Sequence, residues 1–165
     1  MAAPSSDKTY NVLFVCLGNI CRSPMAEAVF ADIVKKNGLS ANFPRIESAG
    51  TAGYHVGERP DERTVAVCQK HNVPVSSRAQ QLKTEDFYDY DLILGMDSAN
   101  LRNIRSVMPS NSKATVKLFG EYGDGKIVDD PYYGSNDGFA VVYEQCRRYS
   151  LGILKSLGFT IPGHE

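Results

Sequence analysis

Apolar and polar positions along this chain fall into alternating blocks of two kinds. Tyr10 to Val15, Arg45 to Ala49, Asp91 to Met96 and Thr115 to Phe119 are short runs whose apolar and β-branched content predicts strands. The first is continuously apolar after Asn11, as expected of a strand covered on both faces. Helical spacing follows Pro24, where Met25, Val29, Ile33 and Lys36 succeed one another. Further helices are predicted from about Asp61 to His71, ending near Asn72 and Pro74, and near Ser98 to Val107. The last runs from about Asp137 to Leu157, with Phe139, Val142, Cys146, Tyr149, Ile153 and Leu157 on one stripe. Gly158 and Pro162 stop it. Ser48 to Gly53 reads as a flexible loop beyond the second strand, and Met1 to Asp7 as a disordered tail. Strands alternating with helices imply a parallel α/β sheet, in which ligands sit beyond the strand C-termini.

Cys16 to Ser23 occupies such a position, between the first strand and the first helix. Five residues separate Cys16 from Arg22, and Ser23-Pro24 follow. Pro24 suits the first helical position, and Ser23 is a candidate N-cap. A thiol, a guanidinium and the loop amides of Leu17, Gly18, Asn19, Ile20 and Cys21 thus surround one point at a helix N-terminus, where a phosphate dianion would sit. A phosphate ester needs an anionic nucleophile, and a helix N-terminus beside an arginine favours a thiolate. Arg22 offers a planar fork matching two phosphoryl oxygens. Gly18 lets the backbone approach the anion closely. One residue of so tight a loop is expected in the left-handed region, which Asn19 tolerates. Ser23 can cap the helix or donate its hydroxyl to the sulfur of Cys16. No Gly-Lys-Ser or Gly-Lys-Thr marks a nucleotide loop.

Composition narrows the class. The chain has 165 residues, 42% hydrophobic and 22% charged, with a net charge of −1, which fits one globular domain and no nucleic-acid footprint. No run reaches membrane-spanning length, and Met1 to Thr9 has neither the basic nor the apolar region of a signal peptide, so the expected address is the cytosol. Cys16, Cys21, Cys68 and Cys146 form no CxxC pair and no disulfide framework, so free thiols and no metal site are expected. Cys68 and Cys146 read as core packing.

Val15-Cys-Leu-Gly-Asn-Ile-Cys-Arg-Ser-Pro24 closely resembles the signature of the low-molecular-weight protein tyrosine phosphatases. The likeness continues through Ser48-Ala-Gly50, Tyr54, His71, Met96-Asp97 and Asp130-Pro-Tyr-Tyr-Gly134. The resemblance implies a three-layer fold, a four-stranded parallel sheet flanked by helices, and metal-free, cofactor-free hydrolysis through a phosphocysteine. By the same likeness Asp130 is general acid and then base, with Asp129 its nearest rival; an Asp-Pro pair alone is a turn initiator. Leu17, Tyr54, Tyr132 and Tyr133 resemble the walls that grip a phosphotyrosine ring. Asn19, Ser48 and His71 match a hydrogen-bonded brace beneath the loop, though His71 can equally cap a helix. Asp97 is a candidate supporting carboxylate or a helix cap. Cys21 resembles a second cysteine able to capture oxidised Cys16 as a disulfide. His55 reads as a surface residue. The partners implied are phosphotyrosine proteins, with inorganic phosphate or other oxyanions in the site, and a monomer is the default.

Two enzyme-like alternatives and one binding module fit less well. A phosphatase-like arsenate reductase needs two further cysteines close together, whereas Cys68 is solitary and Cys146 lies in the last helix. A sugar phosphotransferase subunit would not require Arg22 or a late acid. An inert phosphotyrosine-binding module is expected to have lost Cys16 or Asp130, and both are present.

Overall fold

Val12–Cys16 (β1) lies inside a four-stranded parallel sheet, with Ile46–Gly50 (β2) on one side and Leu92–Gly95 (β3) then Thr115–Leu118 (β4) on the other. This is a computed structural model, and it describes residues 7–132, 134 and 137–164. All five residues of β1 are buried, and side-chain alternation divides them between two cores. Val12, Phe14 and Cys16 face a layer containing helices Arg22–Lys36 (α1), Glu62–Lys70 (α2) and Asp137–Ser156 (α5). Leu13 and Val15 face a smaller core with the short helix Asp86–Asp89 (α3) and helix Ser98–Val107 (α4). Helices on both faces of the parallel sheet make three layers, as the family likeness implies.

The larger core is dominated by edge-on aromatic contacts. Phe14 meets Phe30 at 5.7 Å and Phe119 at 5.1 Å between ring centroids. These fully buried rings make the sheet a rigid base for the loop that leaves β1. In register, Cys16 pairs with Gly50 and Val15 with Gly95, so the strand ends align on one rim of the sheet.

Several boundaries differ from the sequence pattern for physical reasons. Ser48 to Gly50 belong to β2, paired with Phe14 to Cys16, and only the residues beyond them leave the sheet. Ser23 does not cap α1; no side chain does, and its hydroxyl is engaged elsewhere. Helix α3 and the 3₁₀ turns Ser40–Asn42 and Phe119–Tyr122 are too short for a periodic signal. Of the expected Met1 to Asp7 tail, only Asp7 lies among the described residues, and it is exposed.

Candidate active site

The chain leaves β1 at Cys16, turns, and enters α1 at Arg22. Asn19 takes a left-handed conformation with φ 58°, the position at which the turn demands it. Outside donors hold the loop's carbonyls. Thr51 N–H donates to Cys16 O at 2.9 Å, Ala52 N–H to Leu17 O at 3.0 Å and Asp61 N–H to Ile20 O at 2.7 Å. Thr64 Oγ1 donates to Cys21 O at 3.1 Å. These bonds from outside the loop restrain the peptide planes between Cys16 and Arg22. Gly50 permits this closeness, because a Cβ there would lie 2.7 Å from Leu17 O.

Beneath the loop runs a chain of short polar contacts. Cys16 Sγ lies 3.1 Å from Ser23 Oγ. Asn19 Nδ2 donates to Ser23 Oγ at 2.8 Å and to Ser48 Oγ at 2.9 Å. Its Oδ1 accepts from Gln80 N–H at 2.9 Å. Ser48 Oγ then donates to Glu27 Oε1 at 2.6 Å. Since Ser23 Oγ accepts from Asn19, its own proton can go to Ala49 O at 3.4 Å or to the sulfur at 3.1 Å. Burial pushes the Glu27 carboxyl up to about 7, only partly offset by the Ser48 hydrogen bond. Asn19 and Ser48 therefore meet in the brace, but His71 is not brought into it. His71 caps the C-terminus of α2, and its ring stacks on Tyr143 at 3.9 Å. Aromatic stacking across α2 and α5 won over the polar role that the resemblance suggested. Glu27 and Gln80 take part instead.

Arg22 is 3% exposed and tightly held. Its Nη1 donates to Asp97 Oδ2 at 2.6 Å and to Val128 O at 3.0 Å, while Nη2 lies 3.6 Å from Asp130 Oδ2. Arg22 Nε is buried with no protein partner among the described residues, so one donor of the fork remains free for an oxyanion. Asp97 fills both roles left open by the sequence. Its Oδ1 caps α4 by accepting from Asn100 N–H at 2.8 Å, and its Oδ2 anchors Arg22.

These groups open into a cavity of about 340 Å³ lined by Cys16, Leu17, Gly18, Ile20, Cys21, Arg22, Tyr54, His55, Asp130 and Tyr132. Leu17, Tyr54 and Tyr132 form its exposed apolar rim. Asp130, and not Asp129, lines it. Asp130 Oδ1 accepts from Tyr132 N–H at 3.0 Å, leaving Oδ2 on the arginine side. Tyr133 lies outside the described residues. His55, half-buried, stands in the cavity wall: its Nδ1 is 2.9 Å from Glu58 Oε2, and its ring covers Gly18. No local motif signals this, because the placement depends on how the Gly53 to Glu58 turn folds back. All four cysteines are free and buried. Burial, reinforced by the Asp61 carboxylate, raises the Cys21 thiol well above its ordinary range. Burial also pushes Cys68 up to about 12 and raises Cys146.

The model of the family described as low molecular weight phosphotyrosine protein phosphatase matches residues 11–160. A phosphatase of that description from Schizosaccharomyces pombe is 55% identical over 153 residues, covering 91% of this chain and 98% of its own. One from Saccharomyces cerevisiae is 45% identical, over 88% of this chain and 93% of that protein. Among solved structures, a protein tyrosine phosphatase from Entamoeba histolytica with Hepes in its active site superposes with a TM-score of 0.85. It is 32% identical and covers 90% of this chain and 97% of its own.

Proposed function

The chain belongs to the low molecular weight phosphotyrosine protein phosphatase family, and from that premise we propose that Cys16, Arg22 and Asp130 carry its hydrolysis of phosphotyrosine. The supporting observation is their convergence on one cavity, with an unpartnered buried Arg22 Nε beside the sulfur-bearing loop. In the first step Cys16 Sγ bonds to phosphorus as the phosphorus–tyrosyl oxygen bond breaks, and Asp130 gives that oxygen its proton. Arg22 and the loop amides hold the charge spread over the equatorial oxygens, and such electrostatic stabilisation is what lowers the barrier most in phosphoryl transfer. In the second step Asp130 takes a proton from water, whose oxygen attacks phosphorus. The sulfur–phosphorus bond breaks, with the Ser23 hydroxyl stabilising the departing thiolate, and inorganic phosphate leaves.

Leu17, Tyr54 and Tyr132 are the aromatic and apolar grip on the tyrosyl ring, and Tyr133 joins them by the family likeness. Hydrolysis needs no metal or other cofactor, because Arg22 and the amides already balance the phosphoryl charge. EDTA is therefore expected to leave turnover unchanged. The protein works as a cytoplasmic monomer of one domain, and inorganic phosphate and other oxyanions occupy the loop. Under peroxide, Cys16 is oxidised to a sulfenic acid, and the Cys21 thiol displaces water from it to form a disulfide. Mass spectra of peroxide-treated protein lacking that crosslink would remove the redox assignment. Cys16→Ser is expected to abolish turnover of para-nitrophenyl phosphate, and Asp130→Ala to slow the first step by about 10²–10⁴-fold. Near-parental rates in either variant would overturn the corresponding role.

A further inference from the structure

Arg63, in the first turn of α2, does not line the cavity, yet it joins both halves of the site. Its guanidinium is fixed by a carboxylate two positions earlier. Asp61 Oδ1 accepts from Arg63 Nε at 3.0 Å, and Asp61 Oδ2 accepts from Nη2 at 3.0 Å. This two-point grip sets the plane of the fork and aims its remaining edge at the loop carrying the acid. There Nη1 donates to Tyr132 O at 3.1 Å. The guanidinium carbon lies 5.3 Å from the Tyr132 ring centroid and 4.6 Å from that of Phe139, so the cation is stacked as well as hydrogen-bonded.

The same helical turn is tied to the phosphate-binding loop. Asp61 N–H donates to Ile20 O at 2.7 Å, and Thr64 Oγ1 to Cys21 O at 3.1 Å. On the far side, Tyr132 is held at both ends of its backbone. Its carbonyl accepts from Arg63, while its N–H donates to Asp130 Oδ1 at 3.0 Å. Moving the Tyr132 backbone would therefore turn the Asp130 carboxyl, whose Oδ2 stands on the Arg22 side. A continuous path of short contacts runs from the nucleophile's loop through α2 to the acid.

We propose that Arg63 is a positioning residue that sets the separation and orientation of Asp130 relative to Cys16. Proton transfer to a leaving oxygen requires hydrogen-bond reach, and a misplacement of about 1 Å can cost about 10²-fold. The Arg63–Asp61 pair is partly exposed, so its contribution to global stability is small, and its effect is local to the acid. Arg63 also steadies Tyr132, but both aryl esters meet that wall alike, so the loss of Arg63 should fall selectively on the ester whose leaving group needs a proton. The inference rests on Asp130 being the general acid.

The test compares kcat/KM, which reports the step expelling the leaving group, for phenyl phosphate and 2,4-dinitrophenyl phosphate. Parent, Arg63→Ala, Arg63→Lys, Asp130→Ala and the Arg63→Ala/Asp130→Ala double variant are measured, with vanadate inhibition as a check that the loop is intact. Arg63→Ala is expected to lose about 10–100-fold on phenyl phosphate and less than about 3-fold on the dinitrophenyl ester, with vanadate affinity unchanged. Arg63→Lys keeps the charge without the planar fork, so it should show the same selective loss in weaker form, and it carries the test if the alanine variant does not fold. In the Asp130→Ala background, removing Arg63 should add less than about 3-fold. Equal losses on both esters, or a full additive loss in the double variant, would overturn the positioning role. If Asp130→Ala itself fails to discriminate the esters, the acid assignment falls instead.

Discussion

Ser23 shows how one side chain can belong to helix geometry in the sequence and to chemistry in the fold. A serine before a proline at a helix start is a sound N-cap reading, but its Oγ accepts from Asn19 and faces Cys16 Sγ at 3.1 Å. A hydrogen bond to a charged group contributes about 1.5–3 kcal/mol. Ser23→Ala should therefore slow breakdown of the phosphocysteine, seen as kcat, by about 10–100-fold, while kcat/KM falls less. Stopped-flow burst kinetics would show the intermediate accumulating; equal losses in both parameters would place Ser23 outside the leaving-group role. The grouping of Cys16, Asn19 and Arg22 in one loop was legible from their spacing between a strand and a helix, whereas Asp130 stood out from Asp129 only through the family likeness, because an Asp-Pro pair by itself reads as a turn. His71 was misleading, since an imidazole at a helix end carries no local sign of whether it stacks or hydrogen-bonds. Glu27 and Gln80 were invisible, because their contact with the loop is made across helices and strands distant in sequence.

At the level of elements, the strands and longer helices follow the apolar pattern to within a residue or two. The turns around the site do not, because long-range backbone bonds decide them: Gly57 N–H to Ala79 O at 2.8 Å and Ala79 N–H to Glu58 O at 2.9 Å fold the His55 turn over the loop. Asp97 joins element and site in one carboxylate. Asp97→Ala removes the cap of α4 and should lower stability by about 1 kcal/mol, while also freeing the Arg22 fork. Asp97→Asn keeps a capping oxygen but weakens the charge-assisted contact with Arg22. Thermal melts are expected to separate the two variants, and phosphate inhibition to weaken in both. An Asp97→Ala protein with parental melting temperature and phosphate affinity would contradict both roles.

For the whole molecule, the buried brace makes stability depend on pH. Glu27 sits near 7 in the folded chain against an ordinary value of 4.5, so the folded state holds this proton more tightly than the unfolded one. Its effect on stability is constant below about pH 4.5, is progressively lost as pH rises toward 7, and levels off above that. Glu27→Gln retains the oxygen that accepts from Ser48 and removes the charge. Allowing for partial solvent access, it should stabilise the protein by about 1–2 kcal/mol at pH 8 and flatten the slope between those values. A chain of this size would gain about 3–6 °C in melting temperature. An unchanged pH profile in Glu27→Gln would assign the slope to other groups. The parallel α/β sheet was readable from alternation and its three layers from the family likeness; its electrostatics were not, because they arise from burial.

The proposed chemistry turns on one covalent event at the end of β1, the transfer of a phosphoryl group to Cys16. Enzyme turning over a phosphotyrosine peptide, denatured within milliseconds and digested, should carry one added phosphoryl mass on the peptide holding Cys16, with fragmentation placing it on that sulfur. A phosphoryl group on another residue, or none on Cys16 even in Ser23→Ala, where slowed breakdown should let the intermediate accumulate, would contradict the account.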